Sequence, residues 1–168
     1  MRSHIPHPSL YHTLPLSLLC LLIISLGSWR IWHHTHPKPL PHPQVAVGGH
    51  TFTVRIASTP EEQRLGLGGV GSLSLTEGMY FPFSEPKTAT FWMKGMQISI
   101  DLLWIRNGIV IGMERSLPPA DNTVQALPTW KSPAPVDAVL EIAAGAAEKL
   151  SLQVGDFVST EHIKMPTQ

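Results

Sequence analysis

A single cysteine, Cys20, stands in a chain of 168 residues. One thiol cannot build an intramolecular disulfide framework, and a Cys-based structural zinc site would need further thiolates or a cluster of other ligands. Stability has to come from packing. Charge is scarce as well: Asp, Glu, Lys and Arg make up 14%, and twelve basic residues balance twelve acidic ones. With no basic stripe anywhere, the chain lacks the footprint of a protein that binds nucleic acid by neutralising phosphates, and no nucleic-acid partner is expected. Several catalytic signatures are missing too. There is no Gly-x-Ser-x-Gly elbow, no Gly-x-x-x-x-Gly-Lys-Ser/Thr phosphate loop and no His-Glu-x-x-His. The glycines from Gly66 to Gly71 lack the flanking strand and helix of a dinucleotide loop, so no cofactor is expected. After His50 only His162 remains, which leaves no His-based apparatus for a core.

What is present is apolar. Hydrophobic residues reach 43%, too many for a chain disordered throughout, and the length has room for one ordinary domain. The charges divide it. Every acidic residue lies between Glu61 and Glu161, whereas the first sixty residues carry only Arg2, Arg30, Lys38 and Arg55. After a flank at 1–13, the stretch 14–32 opens with an uncharged apolar run, Leu14 to Ser28, and closes on Trp29, Arg30 and Trp32. That pattern is membrane-directed. Ser25-Leu26-Gly27 offers small residues for signal cleavage after Gly27, while Trp29 and Trp32 resemble interfacial anchors of a retained helix. Either outcome places the folded part outside the cytoplasm, as an anchored inner-membrane protein or as a periplasmic or secreted one, with residues 14–32 as the membrane partner.

Residues 33–44 (HHTHPKPLPHPQ) hold four prolines and four histidines and read as a stiff spacer. His33, His34 and His36 offer a metal-sequestering alternative, although nothing fixes their geometry and no structural metal site is expected. A β-domain is expected over 45–164, followed by a tail at 165–168. Within it the strand signals dominate. Val45 to Ala57 alternates around Gly48-Gly49, and Ile98 to Met113 contains Asn107-Gly108, a signature of a type I′ hairpin. Gly78 to Phe83, Thr88 to Met93 and Val136 to Ile142 are further β-rich runs, and Gly155 to Val158 turns into a final strand. Thr59-Pro60-Glu61-Glu62 is a capping box that predicts one short helix, and Ala143 to Leu150 predicts another. The five prolines between Leu117 and Pro135 predict a long loop lying over the sheet. The expected fold is mainly β: one jelly-roll-like or β-sandwich domain with two short helices, behind the membrane-directed segment.

Two carboxylates stand out. Asp101 lies in ISIDLLWI, where one strand face carries Ile98, Ile100, Leu102 and Trp104 and the other Ser99, Asp101, Leu103 and Ile105. Both faces are apolar, so Asp101 needs a partner, and Arg64 and Lys94 are the candidates. The alternatives are a ligand-binding or basic carboxylate in a cleft and a structural staple. Glu141 repeats the problem in AVLEI. Together the two could form an acid/base pair in a small envelope enzyme, provided they face each other across a cleft. Trp92 beside Lys94 is either core or an exposed platform for a sugar ring or peptide.

The segments TPEE with RLGL (59–67), GMYF (78–81), FWMK (91–94), IDL (100–102), VLE with Gly145, and GDFV (155–158) together resemble the domain-of-unknown-function 192 family. The family's Gly-Leu-Met-x-Arg pattern departs here at Gly68 and Val70, and its Trp-Met-Lys-Asn-Thr-x-Ile-Pro-Leu-Asp pattern departs at Gly95, Met96 and Ser99. The resemblance implies a small mainly β domain, often exported or anchored, with no established activity. It also implies joint importance for Arg64, Trp92, Lys94, Asp101 and Glu141, the candidate ligand-binding set. The expected role is a noncatalytic binding module of the cell envelope for a small molecule, glycan or peptide.

Overall fold

A computed structural model describes residues 43–120 and 126–160. The membrane-directed segment 14–32 and the histidines at 33, 34 and 36 lie outside these residues, as does the tail. Among the described residues no helix is long and apolar enough to cross a membrane.

The Gly48-Gly49 pair joins β1 (Gln44–Val47) to β2 (His50–Ile56), with φ of 55° and 84° at the two glycines. Positive φ at both positions is what a type I′ turn requires. The capping box also forms. Thr59 Oγ1 accepts from the Glu62 amide at 3.2 Å, and Glu62 Oε2 accepts from the Thr59 amide at 2.9 Å, starting α1 (Pro60–Leu65). A glycine-rich connection then leads to β3 (Glu77–Lys87), which runs parallel to β2. That single parallel pair departs from a purely antiparallel reading, and the intervening residues with α1 form its crossover. A short β4 (Thr90–Trp92) follows. β5 (Ile100–Arg106) and β6 (Ile109–Leu117) form the Asn107-Gly108 hairpin, with φ of 51° and 69° at the turn. The proline-rich stretch holds one strand, β7 (Thr129–Lys131), before β8 (Val136–Ala143), α2 (Ala146–Lys149) and β9 (Val158–Ser159).

Seven strands make one sheet in the order β6-β5-β8-β3-β2-β1-β9, and β4 pairs with β7 in a separate ribbon. The two outer strands of the large sheet meet: Ile109 bridges Phe157, the Val110 amide donates to Asp156 O at 3.0 Å, and the Val158 amide donates to Gly108 O at 2.8 Å. The sheet therefore curls on itself. The expected sandwich of two stacked sheets is replaced by one curled sheet, because bonding between its own edges satisfies the backbone groups that open edges would leave bare.

Alternation along the strands creates two cores. Val45, Val47, Phe52, Leu103, Ile105, Leu140 and Ile142 pack on the face the sheet encloses, together with Ala146, Ala147 and Leu152 around α2. Met79, Phe81, Leu102, Trp104 and Val139 lie on the other face under Leu67, Ala89, Met93 and Met96. β5 is buried along almost its whole length because both of its faces meet a core.

Candidate functional site

The second core is incompletely filled. Between α1 with its glycine-rich exit, the end of β3, and β4 lies a cavity of about 420 Å³, floored by Glu141. The register explains why a carboxylate is there. Arg55, Met79, Glu141, Leu102 and Glu114 are successive partners across β2, β3, β8, β5 and β6, so their side chains share the sheet face that α1 and the ribbon cover. Glu141 is central in that row and only 4% exposed. The Leu67 amide donates to its carboxyl group, but no group among the described residues bonds its buried Oε2. Burial pushes its pKa up to about 8, offset only in part by the Leu67 amide and the charge of Arg55. At neutral pH the group is therefore mostly protonated, able to donate one hydrogen bond and accept another.

Local chain geometry delivers the Leu67 amide. Gly66 ends α1 at φ 54° and ψ −137°, a conformation that side chains disfavour, and a Cβ there would lie 3.6 Å from Glu141 Oε2. Gln63 holds the helix down by donating to Ala57 O and Pro82 O, each at 3.2 Å. The opposite wall is the ribbon. Phe91 stands edge-on to Phe81 and Trp104, with ring centroids 5.1 Å and 5.7 Å away, and this clamps β4 to the sheet. Ser132 extends the ribbon by one pair beyond Thr90–Lys131: its amide donates to Ala89 O at 2.9 Å and its hydroxyl accepts from the Ala89 amide at 3.0 Å.

Of the residues singled out in the sequence, Arg64, Trp92, Lys94 and Glu141 all line this cavity. Trp92 is 47% exposed, so it belongs to the cavity mouth, while Met93 turns into the core. Arg64 pairs with Glu61 at 2.6 Å on the exposed surface, and Lys94 is exposed at the rim. Lys87, which the sequence reading passed over, is a third cation on the lining, with its Nζ 4.0 Å from the centre of the Phe83 ring.

Asp101 is elsewhere. It pairs with Ile142, one position along from the Leu102–Glu141 pair, so period-two alternation sends it to the enclosed face. There it is fully buried, with Oδ1 accepting from the Ser116 amide at 2.8 Å and Oδ2 from the Ala147 amide at 2.9 Å. Neither Arg64 nor Lys94 is its partner, contrary to the sequence expectation. The partners are backbone amides that could not be seen in the sequence. The Ser116 amide is released by a register shift between Leu117 and Glu114, where Ser116 takes φ 51°, and the Ala147 amide belongs to a helix whose N-cap is Gly145 and has no side chain to offer. Because the two carboxylates face opposite sides of the sheet, they cannot work as an acid/base pair.

Sequence comparison adds a decisive observation: the profile of the DUF192 family, described as "Uncharacterized ACR", matches residues 43–160. The chain belongs to the DUF192 family. Two solved structures are similar to this DUF192 chain. One is a protein of unknown function from Novosphingobium aromaticivorans, 30% identical, with a TM-score of 0.63 over 74% of this chain and 91% of that one. The other, described as a candidate transcription regulator from Sinorhizobium meliloti, is 27% identical, with a TM-score of 0.64 over 72% of this chain and 95% of that one. A search of curated proteins finds no match. The two segments where this chain departs from the family pattern touch each other, the Gly69 amide donating to Gly95 O at 3.0 Å. Those departures lie in connections around the cavity, Met96 on its lining, while Glu141 on its floor is retained.

Proposed function

We propose that this DUF192 protein is a noncatalytic small-molecule-binding module whose site is the cavity over Glu141. The observation that carries the reading is a buried carboxyl oxygen left without a partner among the described residues, at the floor of an aromatic-walled cavity. A neutral carboxyl group so placed loses its water on folding without full replacement, and a ligand atom that bonds it recovers the loss. Aromatic walls with a few convergent polar groups are the usual make-up of a small-ligand site, and about 420 Å³ sits in the lower part of the usual range. A glycan or peptide would engage it through one ring or one side chain. Acidic residues exceed basic ones over 45–164, a balance that does not favour a nucleic-acid partner.

Thr90 lines the mouth and is exposed, so Thr90→Trp obstructs the cavity while leaving the core intact. Screening the full-length chain against small molecules by saturation-transfer NMR should yield ligands whose signals vanish in Thr90→Trp. Ligands that bind both proteins equally, or a screen without ligands, would overturn the reading. The same proposal places the domain outside the cytoplasm, tethered through residues 14–32. Fractionation should recover the intact chain with membranes, and recovery in the cytosolic fraction would remove that part.

A further inference from the structure

The charges around the cavity narrow the ligand class, an argument that rests on the binding-module reading above. Three of its lining residues are cations from three separate elements: Arg64 from α1, Lys87 from β3 and Lys94 from the turn after β4. Among the described residues, the only carboxyl group on the lining is Glu141. It lies at the floor and is neutral at neutral pH, and the further cation facing it along the sheet is Arg55 on β2. The potential at the mouth is therefore positive, with no ionised acid among the described lining residues to cancel it. Glu61 partly screens Arg64, leaving Lys87 and Lys94 as the main attractors. Between rim and floor the walls are Phe81, Phe83 and Phe91, with Trp92 at the mouth, a lining that favours a flat apolar body.

We propose that the cavity takes a small organic anion with an aromatic or flat apolar body, its charged group held at the rim by Lys87 and Lys94 and a hydrogen-bond acceptor at its inner end accepting a hydrogen bond from Glu141. An amine is the opposite class. It would have to pass three cations to reach Glu141 and would then meet a carboxyl group that holds its own proton.

Three probes of nearly the same shape separate these possibilities in calorimetric titrations of the full-length chain. 4-Acetylbenzoate carries the anion and an inner acceptor, 4-isopropylbenzoate keeps the anion but loses the acceptor, and 4-acetylbenzylamine keeps the acceptor but reverses the charge. The acetylbenzoate should bind at millimolar concentration or below, the isopropyl analogue about tenfold more weakly for loss of one hydrogen bond to a buried group, and the amine not measurably. Lys87→Gln combined with Lys94→Gln should weaken both anions several-fold. Glu141→Leu should reduce acetylbenzoate to the level of its isopropyl analogue, and Glu141→Gln, which keeps an N–H donor, should restore the preference. If the amine binds at least as well as the acetylbenzoate and Thr90→Trp abolishes it, the binding module stands and the anion assignment is overturned. Equal binding of the two benzoates would overturn the role given to Glu141. If no probe binds and none shifts the melting temperature, the assignment falls; if the screen against Thr90→Trp also yields nothing, the binding module falls with it.

Discussion

At the scale of the residue, Glu141 costs the fold stability. Its ordinary carboxyl pKa of 4.5 rises to about 8 in the folded chain. Folded protein thus keeps the proton over a range where unfolded protein has lost it, and stability falls as pH rises whenever the native state binds more protons. The loss begins near pH 4.5 and is complete just above pH 8, amounting to a few kcal/mol. Glu61, Glu62 and Glu77 shift the other way, lowered by Arg64, by the Thr59 amide and by the Ser74 amide, so what they contribute is present above about pH 4.5 and is lost only below it. Among the described groups with a resolved shift, Glu141 is then the one that titrates between pH 5 and 8. Glu141→Gln keeps the acceptor for the Leu67 amide and removes the titration, so urea unfolding of the variant should be flat across that window where the native chain weakens. Above pH 8 the variant should be the more stable of the two. A native chain whose unfolding midpoint does not move between pH 5 and 8 would show that Glu141 is not held neutral. A residue that weakens the fold and leaves a polar atom unpaired is expected at a site that uses it.

At the scale of the element, Asp101 does the reverse and joins three pieces. Its strand β5, the irregular end of β6 and the start of α2 are tied through one carboxylate, which caps a helix that its own N-cap glycine leaves uncapped. Asp101→Ala would leave the buried Ala147 amide and the part-buried Ser116 amide without acceptors, at about 1–3 kcal/mol each. The expected result is a loss of about 2–5 kcal/mol in urea unfolding, with small-molecule binding at the cavity unchanged in whatever fraction stays folded. Unaltered stability, or a selective loss of binding, would contradict the staple role. The comparison with Glu141 marks how far the sequence could be read. A carboxylate between apolar β residues identified both positions, and parity along ISIDLLWI correctly separated the two faces of β5. Whether the partner would be a cation, an amide or an absent ligand depended on a register shift in β6 and on the placement of α2, neither of which has a signature in the residues themselves. Turns were legible because Gly48-Gly49 and Asn107-Gly108 are demanded by backbone sterics, and α1 because its capping box is local. The parallel pairing of β2 with β3 was not, since pairing across residues 57–76 is set by which faces bury together. Lys87 escaped notice because it became part of the cavity only when β3 ran on to meet β4.

At the scale of the whole molecule, the curled sheet makes the domain's two ends neighbours. β1, which opens the described chain, pairs with β9, which closes it: Ala46 lies opposite Ser159 and Val47 opposite Val158. The two ends therefore differ sharply in what their removal does. Cutting before residue 41 leaves every described strand and both cores whole, and the remaining chain is a compact unit from Pro41 onward. Cutting after Ser151 is different. It removes the buried Leu152, the bonds from Gly155, Asp156 and Val158 to the β6 end of the sheet, and the strand that covers β1. Backbone groups on β6 and β1 then face water along two edges, and the enclosed core opens beside α2. Residues 41–168 should unfold cooperatively in urea with a midpoint close to that of the full-length chain, and should keep any cavity ligand. Residues 41–151 should lose cooperative unfolding and bind 8-anilinonaphthalenesulfonate as an exposed apolar core does. A shorter fragment that still melts cooperatively would mean that the joining of the sheet's edges adds little, and that packing around β3, β5 and β8 alone holds the cavity floor in place.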